Sequence, residues 1–141
     1  MSLVVNEIFY SLQGESSHAG RPCVFVRLTG CNLRCSYCDT SYAYDEGKAM
    51  EVEEIMAVIP KYPCRLVEVT GGEPLLQQET PALIEEMLNH GFEVLLETNG
   101  SRNIHAVDPR CVRIVDVKCP SSGEADKNDF ENFSHLTSQD E

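Results

Sequence analysis

The strongest constraint on the fold is the regular exchange of short, β-rich apolar runs with helix-period segments, each run stopping at a polar stretch. Cys23-Val-Phe-Val-Arg-Leu-Thr29 reads as a strand, and Gly30 releases it into a loop. Val52, Ile55, Met56 and Ile59 recur at i, i+3, i+4 and i+7, which predicts an amphipathic helix from about 51 to 59 that Pro60 helps stop. Leu66-Val-Glu-Val-Thr70 is a second strand ending in Gly71-Gly72-Glu73-Pro74. Thr80 as N-cap and Pro81 in the first turn open a second helix, with Ile84, Met87 and Leu88 on its buried face and Gly91 capping its end. Glu93 to Thr98 is a third strand closed by Asn99-Gly100, and Val112 to Val117 is a fourth, stopped by Pro120. This order belongs to a parallel α/β sheet, and four strands are too few to close an eight-stranded barrel. The predicted fold is therefore α/β, an open or partial parallel (β/α) barrel.

Ligands gather at the carboxyl ends of the strands in such folds. The first of these ends leads into Cys31-Asn-Leu-Arg-Cys35-Ser-Tyr-Cys38, a C-x3-C-x2-C run whose uneven spacing suits a loop around one corner of an iron-sulfur cluster. Three thiolates leave one iron of a four-iron cluster open to a chelating small molecule, which is a catalytic arrangement. A non-catalytic zinc or iron-sulfur module is the competing reading, since Cys23, Cys64, Cys111 or Cys119 could supply a fourth thiolate; no second two-ligand hook accompanies the triplet.

With 141 residues and 42% hydrophobic content, the chain can fill one core, and residues 1–141 are expected to form a single domain. Seven cysteines, an odd number, together with an N-terminus that lacks an export signal, point to reduced thiols in the cytoplasm. No run approaches the roughly 20 apolar residues of a membrane span. Eleven Lys and Arg against 23 Asp and Glu give a net charge of −12, which disfavours direct nucleic-acid binding. Six acidic residues fall after position 123 with Lys127 as the only Lys or Arg, so residues 121–141 are expected to form a solvated or loosely ordered tail. The four histidines share no spacing and read as surface or structural residues.

Cys31, Cys35 and Cys38 together with Gly71-Gly72-Glu73-Pro74 at a strand end resemble the radical S-adenosylmethionine (SAM) superfamily. Within it, Phe9-Tyr-Ser-Leu-Gln-Gly-Glu15, Cys38-Asp39-Thr40 and Asp116-Val-Lys-Cys-Pro120 resemble the 7-carboxy-7-deazaguanine synthase family of queuosine biosynthesis, a tRNA modification pathway. The resemblance implies a carbon-nitrogen lyase that converts 6-carboxy-5,6,7,8-tetrahydropterin to 7-carboxy-7-deazaguanine with loss of ammonia. It also implies a 4Fe-4S cluster, S-adenosyl-L-methionine and Mg2+ as cofactors. A reduced cluster would cleave SAM to a 5'-deoxyadenosyl radical, with a flavodoxin or ferredoxin as electron donor, and the protein would be a homodimer. Relatives of this kind continue with further C-terminal elements, so the chain reads as shortened. The runner-up is a radical SAM activase acting on a protein glycine, against which the Ser11-Leu-Gln-Gly-Glu15 segment counts.

By the same resemblance, Cys31, Cys35 and Cys38 would hold the cluster. Tyr37, Cys38 and Asp39 would line SAM, Gly72 and Glu73 would meet its amino group, and Asp116, Val117 and Lys118 would complete that pocket. Thr40 would bind magnesium, a hard cation that prefers oxygen ligands. Leu12, Gln13 and Gly14 would meet the pterin, Arg27 would pair with its carboxylate and Thr70 would hydrogen-bond its edge, with Glu15, Glu97 and Asn99 as weaker candidates.

Overall fold

A computed structural model describes residues 1–141. Its strands are β1 (Ser2–Leu12), β2 (Pro22–Leu28), β3 (Lys48–Glu51), β4 (Leu66–Gly71), β5 (Glu93–Thr98) and β6 (Val112–Val115); its helices are α1 (Val52–Val58) and α2 (Thr80–Asn89). All six strands form one sheet in the order β3-β1-β2-β4-β5-β6. β2, β4, β5 and β6 run parallel, whereas β1 lies antiparallel to both β2 and β3. The predicted α/β architecture is present as an open, mostly parallel sheet.

Period-2 alternation gives the parallel strands two unlike faces. Val24, Val26 and Leu28 of β2, Val67 and Val69 of β4, and Val94 and Leu96 of β5 are buried on one face with Ile55, Leu83, Ile84 and Met87 of the helices. The opposite face starts as a small apolar floor of Cys23, Phe25, Leu66, Leu95 and Val112. Further along the same strands it turns polar through Arg27, Glu68, Thr70 and Glu97, which face a cleft. The helices thus bury one side of the sheet and leave the carboxyl-terminal half of the other side free for chemistry.

Two strands were not predictable from the runs used above. β1 places Asn6 and Glu7, both poor strand formers, in mid-strand, and its pairing with β2 slips between Val5 and Glu7. β3 is a four-residue edge strand that begins with Lys48 and ends with Glu51. Tertiary pairing overrides weak local signals in both cases.

Several predicted boundaries shift. Pro60 does not end the first helical segment, because one 3-10 turn carries it on through Ile59–Lys61. Thr80 is the first residue of α2 rather than its N-cap, and its hydroxyl instead donates to the Pro74 carbonyl at 2.6 Å. The fourth predicted strand stops at Val115, so Asp116 to Lys118 lie in the loop beyond it.

The acidic tail is packed rather than loose. Asp140 and Arg113 form an ion pair with 0% and 3% side-chain exposure, and Asn132 is fully buried. The Asn132 side chain donates to the carbonyls of Gly100 and Arg102 and accepts from the N–H of Ile104, so these three polar groups stay paired away from water.

Candidate functional site

The cleft at the carboxyl ends of the parallel strands has a volume of about 730 Å³ and is walled by the cysteine loop, the Gly71-Gly72 turn and the exits of β5 and β6. Gly30 starts it: its φ of +98° lets the chain swing out of β2, and its carbonyl accepts a 2.7 Å hydrogen bond from the N–H of Glu73. A Cβ on Gly72 would collide with that carbonyl, and one on Gly71 would crowd the Leu28 carbonyl. The paired glycines therefore let the exits of β2 and β4 touch backbone to backbone, which fixes the cysteine loop against the Gly-Gly turn.

Cys31, Cys35 and Cys38 are free thiols that line this one cleft. Burial raises the Cys31 thiol, while the N–H of Leu33 donates to its sulfur at 3.4 Å and works in the other direction. Burial also raises Cys35, opposed by the positive charge of Lys118. No three His, Cys, Asp or Glu side chains converge as a single metal ion would require. A four-iron cluster takes its cysteines at separate irons, so three soft thiolates spread along one wall fit that group better than one tetrahedral zinc. Cys23 and Cys111 are buried, their thiols pushed up to about 12 mainly by burial, and neither they nor Cys64 and Cys119 line the cleft.

The structure brings most of the remaining predicted residues to the same cleft: Tyr37, Asp39, Thr40, Gly72, Asp116, Val117 and Lys118 with the cysteines, Arg27 and Thr70 on the sheet face, and Gln13 and Gly14 in the loop after β1. Asp116 and Lys118 pair with one another, and Lys118 also lies 5.7 Å from the Tyr37 ring. The Thr40 hydroxyl donates to the Asp39 carboxylate at 2.7 Å, an oxygen-only pair suited to a hard cation. The Arg27 Nε donates to Glu7 at 2.9 Å while the guanidinium lies 5.6 Å from both the Phe9 and the Tyr42 rings. One edge of the fork is thus fixed, and its terminal nitrogens remain for a second carboxylate.

Two predicted residues fall elsewhere. Leu12 ends β1 opposite Pro22, with 63% exposure, and does not line the cleft. Glu73 is 0% exposed, and its carboxylate is taken up by the Thr98 hydroxyl at 2.7 Å and by the backbone N–H groups of Asn99 at 2.8 Å and Leu75 at 3.2 Å. These bonds brace the turn after β4 against the exit of β5.

Sequence reasoning missed other parts of the site. Glu68 looks like one polar residue inside an apolar strand, yet it is a buried carboxylate on the cleft face. Asn128, in the segment read as loose, clamps Lys118 with reciprocal 2.9 Å hydrogen bonds between its side-chain amide and the Lys118 backbone. The hydroxyl of Ser36, inside the cysteine loop, likewise donates to the Ser121 carbonyl at 2.7 Å. Only the polar-turn composition around Asn128 could have hinted at such clamps.

The comparisons with known proteins agree with this geometry. The radical SAM superfamily profile matches residues 25–113. The 7-carboxy-7-deazaguanine synthase of Koribacter versatilis is 50% identical over 97% of the chain, and that of Chlorobaculum tepidum is 51% identical over 94%. That of Thermoplasma acidophilum is 36% identical over 98%. The crystal structure of QueE from Escherichia coli superposes with a TM-score of 0.75 at 29% identity, over 81% of this chain and 60% of that one. The chain spans 62%, 60% and 67% of the length of these three sequence relatives. A cysteine triplet and a glycine-braced turn sharing one cleft, together with these matches, place the chain in the radical SAM superfamily and, within it, in the 7-carboxy-7-deazaguanine synthase family.

Proposed function

We propose that this chain carries the radical SAM core of a synthase that converts 6-carboxy-5,6,7,8-tetrahydropterin to 7-carboxy-7-deazaguanine with loss of ammonia. The supporting observation is that one cleft holds both the cysteine triplet and a sheet floor with a half-free guanidinium at Arg27. Cys31, Cys35 and Cys38 would hold the 4Fe-4S cluster, which with bound SAM supplies a radical able to take a hydrogen from substrate. Arg27 would orient the pterin by its carboxylate, with Gln13 and Thr70 at its hydrogen-bonding edges. Thr40 would bind a magnesium ion, with the Asp39 carboxylate that its hydroxyl meets supplying negative charge beside it. Tyr37, Gly72, Asp116, Val117 and Lys118 would line SAM. Orientation is the protein's main contribution, because a misaimed radical reacts with the wrong bond.

The reading extends to a homodimer reduced by a flavodoxin or ferredoxin in the cytoplasm. No helix is long and apolar enough to cross a membrane. The test is anaerobic reconstitution with iron and sulfide, then mass spectrometry after adding reductant, SAM, Mg2+ and the carboxytetrahydropterin. Product at the mass of 7-carboxy-7-deazaguanine supports the reading; SAM cleavage without it points to another substrate, and absence of both cluster and cleavage overturns the radical assignment. Cys35→Ala should abolish cluster assembly, whereas Thr40→Ala should keep the cluster and weaken magnesium-dependent turnover.

A further inference from the structure

Glu68 has no role in the reading above, yet it is a carboxylate with 3% exposure on the cleft face of a central strand. Its Oε1 accepts a 2.7 Å hydrogen bond from the Gln13 side-chain amide, itself 4% exposed and 55 residues away in sequence. The other end of that amide, Oε1 of Gln13, accepts from the N–H of Glu15 at 3.2 Å. The Gln13 backbone closes the loop behind it: its N–H donates to Arg21 at 2.8 Å and its carbonyl accepts from Gly20 at 2.7 Å. A continuous path therefore runs from β4 through the Gln13 side chain into the Gly14-Glu15 turn, both residues of which line the cleft.

We infer that Glu68 is a positioning residue that fixes the Gln13–Glu15 segment over the sheet face and so sets how the pterin is held. The substrate clause rests on the function proposed above; the anchoring clause does not. An acceptor oxygen at this position suits the task because removing it leaves the buried Gln13 amide N–H unpaired. Glu68 reaches substrate geometry through Gln13 rather than through the reacting atoms. An amide at position 68 keeps an oxygen acceptor of the same shape, whereas an alkyl group removes it.

The test compares Glu68→Leu, Glu68→Gln and the parent chain after reconstitution, by amide hydrogen exchange and by titration with SAM and with the carboxytetrahydropterin separately. The expected result is that Glu68→Leu loses protection at Gln13 and Gly20, keeps it at Val24 and Val67, and raises the pterin Kd on the order of tenfold without changing that for SAM. Glu68→Gln should restore both loop protection and pterin affinity to near the parent values. Unchanged loop protection in Glu68→Leu would overturn the proposal, as would equal loss of pterin affinity in Glu68→Gln, which would mark a direct charge contact instead. If Glu68→Leu also loses protection in β2 and β4, Gln13→Leu breaks the same bond from the loop side; intact exchange protection at Gly20 there counts against the anchor, and its loss supports it. A parent chain that binds no pterin overturns the proposed function alone, because the exchange measurement needs no ligand.

Discussion

The Glu73 carboxylate and the backbone N–H of Asn99 are joined by a 2.8 Å hydrogen bond that ties the turn after β4 to the exit of β5. The Thr98 hydroxyl and the Leu75 N–H meet the same carboxylate. Burial raises the Glu73 carboxyl, against the opposing effect of these donors. Glu73→Ala would leave buried donors without a partner, each costing about 1–3 kcal/mol. We expect Glu73→Ala to lose about 3–5 kcal/mol, visible as a fall in Tm on the order of 10 °C, and Glu73→Gln to lose less. An unchanged Tm in Glu73→Ala would show that the carboxylate is not the tie.

Gly72→Ala tests the contact on the other side of that turn. The new Cβ would meet the Gly30 carbonyl, a backbone atom that cannot swing away as a side-chain end can, and would also press on the Cys31 side chain. The cysteine loop must then shift, so iron bound per chain after reconstitution should fall at least severalfold. Full iron incorporation in Gly72→Ala would mean that the two strand exits tolerate separation.

The parallel half of the fold was legible because Val24 to Leu28, Leu66 to Thr70 and Glu93 to Thr98 are short β-rich runs whose ends carry the polar motifs. β1 was not, since its residues gain their strand state from partners on either side rather than from their own preferences. The same division holds in the site. The cysteine and Gly-Gly-Glu-Pro motifs are local in sequence and could be read directly, but Glu68 meets Gln13 and Asn128 meets Lys118 only once the chain is folded. Glu73 shows a further limit: the motif marks the residue, and its local sequence does not say that the carboxylate is buried against Thr98 and Asn99.

The packed tail makes its own prediction through Asp140. This carboxylate is 0% exposed, and its oxygens lie 2.6 Å from Arg113 Nη2 and 2.8 Å from the N–H groups of Arg113 and Thr137. Burial alone would raise its pKa, but the hydrogen bonds and charge of Arg113 prevail and hold it below the usual 3.8. The stability it contributes is therefore present above pH 3.8 and lost as pH falls through the depressed folded value. Asp140→Ala should cost about 3–5 kcal/mol at pH 7 because the Arg113 charge stays buried and unpaired. Denaturant titrations at pH 7 and pH 3 should show the penalty shrinking at the lower pH; a constant penalty would separate the ion pair from acid unfolding.

Glu97 predicts the opposite pH dependence. Burial first, then the charges of Glu68 and Glu15, push its carboxyl up to about 8 from an ordinary 4.5. The folded protein therefore keeps a proton on Glu97 that the unfolded chain gives up above pH 4.5, so this residue makes stability decline as pH rises to about 8 and adds no further change beyond. Glu68 is also raised, chiefly by burial, and acts with the same sign. Glu97→Gln fixes the neutral form, keeps an amide of similar shape and removes the repulsion between neighbouring carboxylates. It should raise Tm more at pH 8 than at pH 5, while a shallower decline from Glu68 persists in the variant. Equal Tm gains at the two pH values would mean that Glu97 ionises normally in the folded protein and that the cleft floor tolerates all three charges.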